Sequence, residues 1–396
     1  MKTRTLVIAT LAISTSLLLN GCSQLSGSKA SPPIPLKPLK AFKNSLNAKK
    51  VWNVKTGSAM GNNKIHPFFN AQSVFIAGGR SASAWQKASG KLQWKADVGE
   101  NISAGVNGSA NSKGSKGGAR TSNQVFIGTS KGNAISLDAK TGKVQWIERL
   151  SSEVQSISPS RNGRVAFRTS DGKLHGLSST TGELVWQQSQ KSPSLTLHGA
   201  SVPILVGSLV VAGFDNGKVA AYQLQSGEKA WQVTLAEARG TTELDRIIDI
   251  DGKIMSIGSA LFAASLHGKM SGIDLAKGTS AWTNPFSTST GVNVSPQGLY
   301  SSDDKGNVWR INPNNGEPLW KMDDLQRYEP TLPALAGDSL LVIGDKKGNI
   351  HWVNAKTGLF VARQQGDPAG YSVEPEVNGR SVYTIGKSGV LSRITW

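Results

Sequence analysis

A sixteen-residue pattern recurs along most of the chain and narrows the possible folds more than any other feature. It reads "KGNAISLDAKTGKVQW" at 131–146, "DGKLHGLSSTTGELVW" at 171–186 and "NGKVAAYQLQSGEKAW" at 216–231. It returns as "HGKMSGIDLAKGTSAW" at 267–282, "KGNVWRINPNNGEPLW" at 305–320 and "KGNIHWVNAKTGLFVA" at 347–362. In each copy one glycine stands fourteen residues before the closing Trp or Ala, and a second stands four before it. An earlier copy, "GRSASAWQKASGKLQW" at 79–94, keeps Gly90 but shifts the first glycine to Gly79. Runs such as Ala134-Ile135-Ser136-Leu137 alternate as a half-buried strand does. The glycines supply the positive φ that a tight turn and its bulge require. A β-rich run ending in glycine, such as "QVFIGT" or "LLVIGD", precedes each copy, so each repeat holds about four strands.

The closing positions are Trp52, Trp94, Trp146, Trp186, Trp231, Trp282, Trp320 and Ala362, at an average spacing of about 44 residues. That period is typical of four-stranded propeller blades. A tryptophan that ends one strand can wedge against the neighbouring repeat and bury a large apolar area. The last copy begins at Gly389 and lacks its Trp strand, whereas Trp52 in "AKKVWNV" is a Trp strand with no repeat before it. An open stack would leave two exposed edges, which invite aggregation. Ring closure solves both problems. The expected fold is an all-β, eight-bladed β-propeller over 49–396, in which strand 49–54 completes the final blade.

The N-terminal segment has another character. Lys2 and Arg4 precede an uncharged apolar stretch, Leu6 to Leu19, which is the layout of a secretory signal. It is too short for a comfortable membrane span. The segment ends at Cys22, the single cysteine of the chain, so neither an internal disulfide nor a CxxC redox pair can form. "LLLNGC" resembles the lipobox of bacterial lipoproteins. The resemblance implies a signal peptide at 1–21, acylation of Cys22 and, with Ser23 following, sorting to the outer membrane. Residues 22–48 carry Pro32, Pro33, Pro35 and Pro38 and read as an extended tether.

Net charge is +18, or +16 without Lys2 and Arg4. Such a balance raises a nucleic-acid reading, but the export signal argues against it. The lysines are also scattered through turns. They read as a basic surface that can sit near anionic headgroups. The Gly/Ser/Lys-rich segment 105–123 reads as a loop inserted in one blade.

Catalytic and metal signatures are absent. His66, His175, His198, His267 and His351 never stand at metal-ligand spacing and read as surface residues; no metal and no cofactor is expected. Repeats such as "LDAKTGKVQW" do resemble those of pyrroloquinoline-quinone dehydrogenases. The vicinal disulfide of many such enzymes is impossible here, and no convincing calcium-ligand set appears. A quinoprotein remains the alternative reading, since a fold can be shared without its site.

Two irregular connections are more informative. "QQSQKSPSLTLHGASVP" (187–203) contains the alternating Leu195 and Leu197. "QVTLAEARGTTELDRIIDID" (232–251) carries Glu243, Asp245, Asp249 and Asp251 against Arg246. Both should emerge on one face of the ring, where an apolar and an acidic loop together form a candidate binding patch.

With the lipobox, the tether and the Trp repeat, the motifs "PSLTLHG" (193–199) and "TTELDRIIDID" (241–251) resemble the BamB family. These are lipoproteins of the β-barrel assembly machinery (the BAM complex) of Gram-negative outer membranes. The resemblance implies a non-enzymatic scaffold, lipid-anchored in the outer membrane and facing the periplasm. It implies docking on the POTRA domains of BamA through Leu195, Leu197, Asp249 and Asp251. His198 stands where well-known members carry arginine. It also implies contact with unfolded outer-membrane protein precursors.

Overall fold

A computed structural model describes residues 36, 38–57, 65–108, 123–191, 193, 201–237 and 247–396. Cys22, Leu195, Leu197 and His198 lie outside the described residues, as do the expected signal peptide and most of the expected tether. Thirty-two strands are described, grouped into eight antiparallel sheets of four. Among the described residues, no helix is long and apolar enough to cross a membrane. Seven blades are simple up-and-down meanders whose strands follow one another in sequence. The eighth has the order Lys49–Lys55, Val390–Thr395, Ser381–Ile385, Glu376–Asn378. The N-terminal strand therefore supplies the outermost position of the last blade, with Trp52 opposite Arg393 and Val54 opposite Leu391. The expected eight-bladed ring and its mode of closure are both present.

Each tryptophan locks its blade to the next. The indole Nε1 of Trp52 donates to the Lys87 carbonyl at 3.0 Å, Trp94 to Ala139 at 2.9 Å and Trp146 to Ser179 at 3.0 Å. Trp186, Trp231, Trp282 and Trp320 repeat the bond to Leu224, Leu275, Pro313 and Ala355 at 2.8–3.1 Å. The acceptor always lies in the turn before the following blade's outermost strand. The second glycine of that turn sits under the ring. A Cβ on Gly142 would lie 2.5 Å from Trp94, and one on Gly182 2.7 Å from Trp146. These glycines also hold positive φ, 73° and 83°. Two constraints, the turn and the ring above it, thus select glycine at one position.

The seam between blades seven and eight explains Ala362. The final blade has no turn before its outer strand, because the chain is interrupted there, and so nothing could accept a blade-seven indole. The large side chain moves across the sheet instead: Trp352, fully buried, stands opposite Ala362. Trp396 packs on Trp352 with centroids 5.6 Å apart, and Leu46 and Ala48 join the same cluster.

Three expectations need correction. Residues 40–48, placed in the tether, lie along blade seven: Ser45 N–H donates to the Val361 carbonyl at 2.8 Å, and Phe42 stacks on Phe360. The segment placed in a loop at 105–123 begins later, since Ile102–Gly108 is a strand. His175 and His351 are buried rather than exposed, because their strand position points into the blade. Burial holds both imidazoles below their ordinary pKa, His175 at about 4. They are neutral hydrogen-bonding groups, with His175 beside Thr169 Oγ1 and His351 beside Asp345.

Candidate docking site

The two irregular connections join blades three to four and four to five, so they leave the same face of adjacent blades. Their described portions converge at Gly213, at the end of the blade-four strand Leu209–Gly213. Ser201 of the first connection accepts the Gly213 N–H through Oγ at 3.2 Å. Ile250 of the second packs onto the same residue: a Cβ there would lie 2.5 Å from Ile250 Cγ2 and 2.8 Å from Ser201 Oγ. The bare glycine lets both chains close on one spot. Ser201 is tied further inward, its carbonyl accepting from Ser156 Oγ at 3.0 Å.

Asp249 and Asp251 do not form the open acidic rim that the sequence suggested. Asp249 is 1% exposed and Asp251 8%. Their carboxylate oxygens lie within 4.8 Å of one another and of Asp215. Asp215 in turn pairs with Arg168, which has no exposed surface and lies over the Phe214 ring. A buried guanidinium requires counter-charge, which Asp215 supplies. The two aspartates are therefore enclosed with Asp215 instead of facing solvent. Arg168 and Asp215 went unrecognised in the sequence because each sits in an ordinary strand or turn, with nothing local to mark the pairing.

A second constellation lies on the ring axis. A cavity of about 230 Å³ is lined by the innermost segments, including His66, Gln155, Asp251, Lys253, Glu374 and Glu376. His66 Nδ1 stands 3.4 Å from both Glu374 and Glu376. Lys253, from the far side of the ring, reaches Glu374 at 3.4 Å. His66, Glu374 and Glu376 are close enough to share a metal ion, but the Lys253 ammonium already supplies a cation there. Nor does the lining suit pyrroloquinoline quinone. That cofactor is a tricarboxylate, and Asp251, Glu374 and Glu376 would repel it.

The axial cluster gives a defined pH response. Burial opposes the charge on His66, but Glu374 and Glu376 outweigh it and raise the imidazole pKa above 6.5. Burial likewise opposes ionisation of Glu374, and His66 and Lys253 outweigh it, lowering its pKa below 4.5. A raised histidine stabilises the fold fully below its unfolded pKa and loses that contribution as pH rises through the native value. A depressed carboxylate stabilises above its unfolded pKa and fades as pH falls through the native one. The cluster should therefore contribute most between about 4.5 and 6.5. The stability difference between the parent and His66→Gln, measured by thermal unfolding across pH, is expected to peak in that window and shrink above it. A difference that grows toward alkaline pH would contradict the assignment.

The comparisons with known proteins fit this geometry. The family model described as outer membrane protein assembly factor BamB matches residues 81–322. The chain belongs to the BamB family. Among BamB relatives, the chain is 28% identical to that of Yersinia pestis over 402 aligned positions, covering 99% of each chain. It is 29% identical to BamB of Escherichia coli K12, covering 96% of each. The crystal structure of BamB from Moraxella catarrhalis superposes with a TM-score of 0.78 at 23% identity, covering 88% of this chain and all of that one. A europium-containing methanol dehydrogenase also superposes, with a TM-score of 0.71 at 12% identity, covering 89% and 95%. That likeness extends to the propeller alone. The BamB assignment supports the family resemblance read from the repeats and loops, and the quinoprotein reading gains only the shared fold.

Proposed function

We propose that the chain is a non-catalytic scaffold subunit of the BAM complex that docks on the POTRA domains of BamA. The observation that carries this reading is the meeting of two consecutive inter-blade connections at Gly213. In it Leu195, Leu197 and His198 make the contact, while the buried Asp249 and Asp251, grouped with Asp215, hold the second connection in shape. Acylated Cys22 anchors the protein in the outer membrane, with the ring in the periplasm. Docking there assists folding and insertion of β-barrel outer-membrane proteins.

The outermost strands of blades two and three expose Val144, Ile147, Leu184 and Val185. Such edges suit strand addition by extended precursor segments, with backbone hydrogen bonds supplying affinity.

The test is capture of BamA from detergent-solubilised envelopes on the C-terminally tagged protein. Leu195→Lys with Leu197→Lys is expected to lower BamA recovery by at least about tenfold, since central apolar contacts dominate such interfaces. The unfolding temperature should not change. Undiminished recovery from a folded double variant would remove these connections from the interface.

A further inference from the structure

The segment that leads out of the ring is both fastened and basic. Asn44 makes a reciprocal pair with Arg363: its Oδ1 accepts the Arg363 N–H at 3.1 Å and its Nδ2 donates to the Arg363 carbonyl at 3.2 Å. The Arg363 guanidinium lies 5.0 Å from the centroid of both the Phe42 and Phe360 rings and donates to the Lys40 carbonyl at 3.0 Å. Lys40 Nζ meets Asp324 at 3.0 Å. Residues 40–46 are thereby held on the outer strand of blade seven, Phe360–Gln365, and residues 49–55 follow directly as the outer strand of blade eight. Between Pro38 and Gly57 there are five lysines and no acidic residue. Lys43, Lys49, Lys50 and Lys55 are exposed.

We propose that residues 40–55, strapped to the outer edges of blades seven and eight, form a surface that binds the anionic headgroups of a lipid bilayer. A polybasic patch adjoining a lipid anchor adds to its hold on the membrane, each lysine near the surface contributing to the attraction. Here the strap fixes that patch to one sector of the rim, at the point where the chain departs toward Cys22. Among the described residues, the other lysines are dispersed over strands and turns of separate blades. The proposal rests on the lipid-anchor reading of Cys22, which mass spectrometry of the full chain tests separately.

The patch itself is measured with the mature full chain carrying Cys22→Ser, so that no acyl group contributes. Binding to phosphatidylglycerol-rich vesicles is followed by co-sedimentation at low salt, with phosphatidylcholine vesicles as reference. Lys43→Gln, Lys49→Gln and Lys50→Gln together are expected to weaken binding on the order of 100-fold. An equal charge change elsewhere, Lys131→Gln, Lys143→Gln and Lys277→Gln, is expected to have little effect. Equal losses in both triples would assign binding to overall charge and overturn the proposal, as would failure of the parent to prefer the anionic vesicles. Phe42→Ala with Arg363→Ala is expected to accelerate tryptic cleavage after Lys43 several-fold; an unchanged rate would show that the strap is not what holds the patch. Recovery of BamA by the lysine triples should equal that of the parent, which separates this surface from the docking connections.

Discussion

Trp146→Ala is expected to destabilise the protein by about 3–5 kcal/mol, the range for truncating a large buried aromatic. The ring of Trp146 is 8% exposed, packs on Phe126 and Phe167, and donates to the Ser179 carbonyl of the next blade. Truncation removes all three interactions and leaves a cavity between blades two and three. Gly182→Val should damage the same junction from the other side. Its φ of 83° is unfavourable for a β-branched residue, and its Cβ would lie 2.7 Å from the indole. Urea denaturation followed by circular dichroism is the measurement. Because both changes break one contact, the double variant should lose clearly less than the sum of the single losses. Strict additivity, or a Trp146→Ala loss below about 1 kcal/mol, would show that the indole is not what joins the blades.

Removal of residues 38–55 should have a larger effect still. It strips the outer strand from blade eight, exposes the edge of Val390–Thr395 and withdraws Trp52 from Tyr383 and from the Lys87 carbonyl. A ring without that strand presents a long apolar edge, and such edges aggregate. The truncated chain is expected to be recovered mainly as aggregate, with no cooperative unfolding transition. The matching control is a circular permutant in which Trp396 runs through a short glycine-containing turn into Lys49 and new ends open in the 109–122 segment. It retains every strand pair and is expected to fold. A well-folded, monomeric truncation would show that closure is not what holds the ring together.

The parts of this structure that were legible in advance are those written within one repeat. Gly182 and Trp186 stand four residues apart, and so do Gly227 and Trp231. A turn, a bulge and an anchor can all be read from such a segment because the residues that decide them are neighbours. Even here one turn differs. In blade five the positive φ falls on His267, at 48°, and not on Gly268, whose missing side chain instead admits Ser265 Oγ. The substitution of Ala362 for tryptophan was visible in the sequence, but its reason was not. It depends on a turn that the interrupted last blade lacks, and on Trp396 and Leu46 arriving from the two ends of the described chain.

The candidate site divides in the same way. That two consecutive connections emerge side by side follows from blade order. That Asp249 and Asp251 turn inward does not, because they gather beside Asp215, which lies in a turn far earlier in the chain. The axial cluster is more remote again: His66, Lys253 and Glu374 come from the segments that lead into three different blades. Nothing near any of them in the chain announces the others.

By itself, then, the sequence determined the number of blades, the residues that fasten them and the closing of the circle by the first strand, since periodic spacing and one unpaired strand at each end are enough to require it. Only the tertiary structure decided which charges face inward and where the N-terminal lysines are fastened. Those outcomes depend on which distant groups share a volume from which water is excluded, and spacing along the chain carries no record of that.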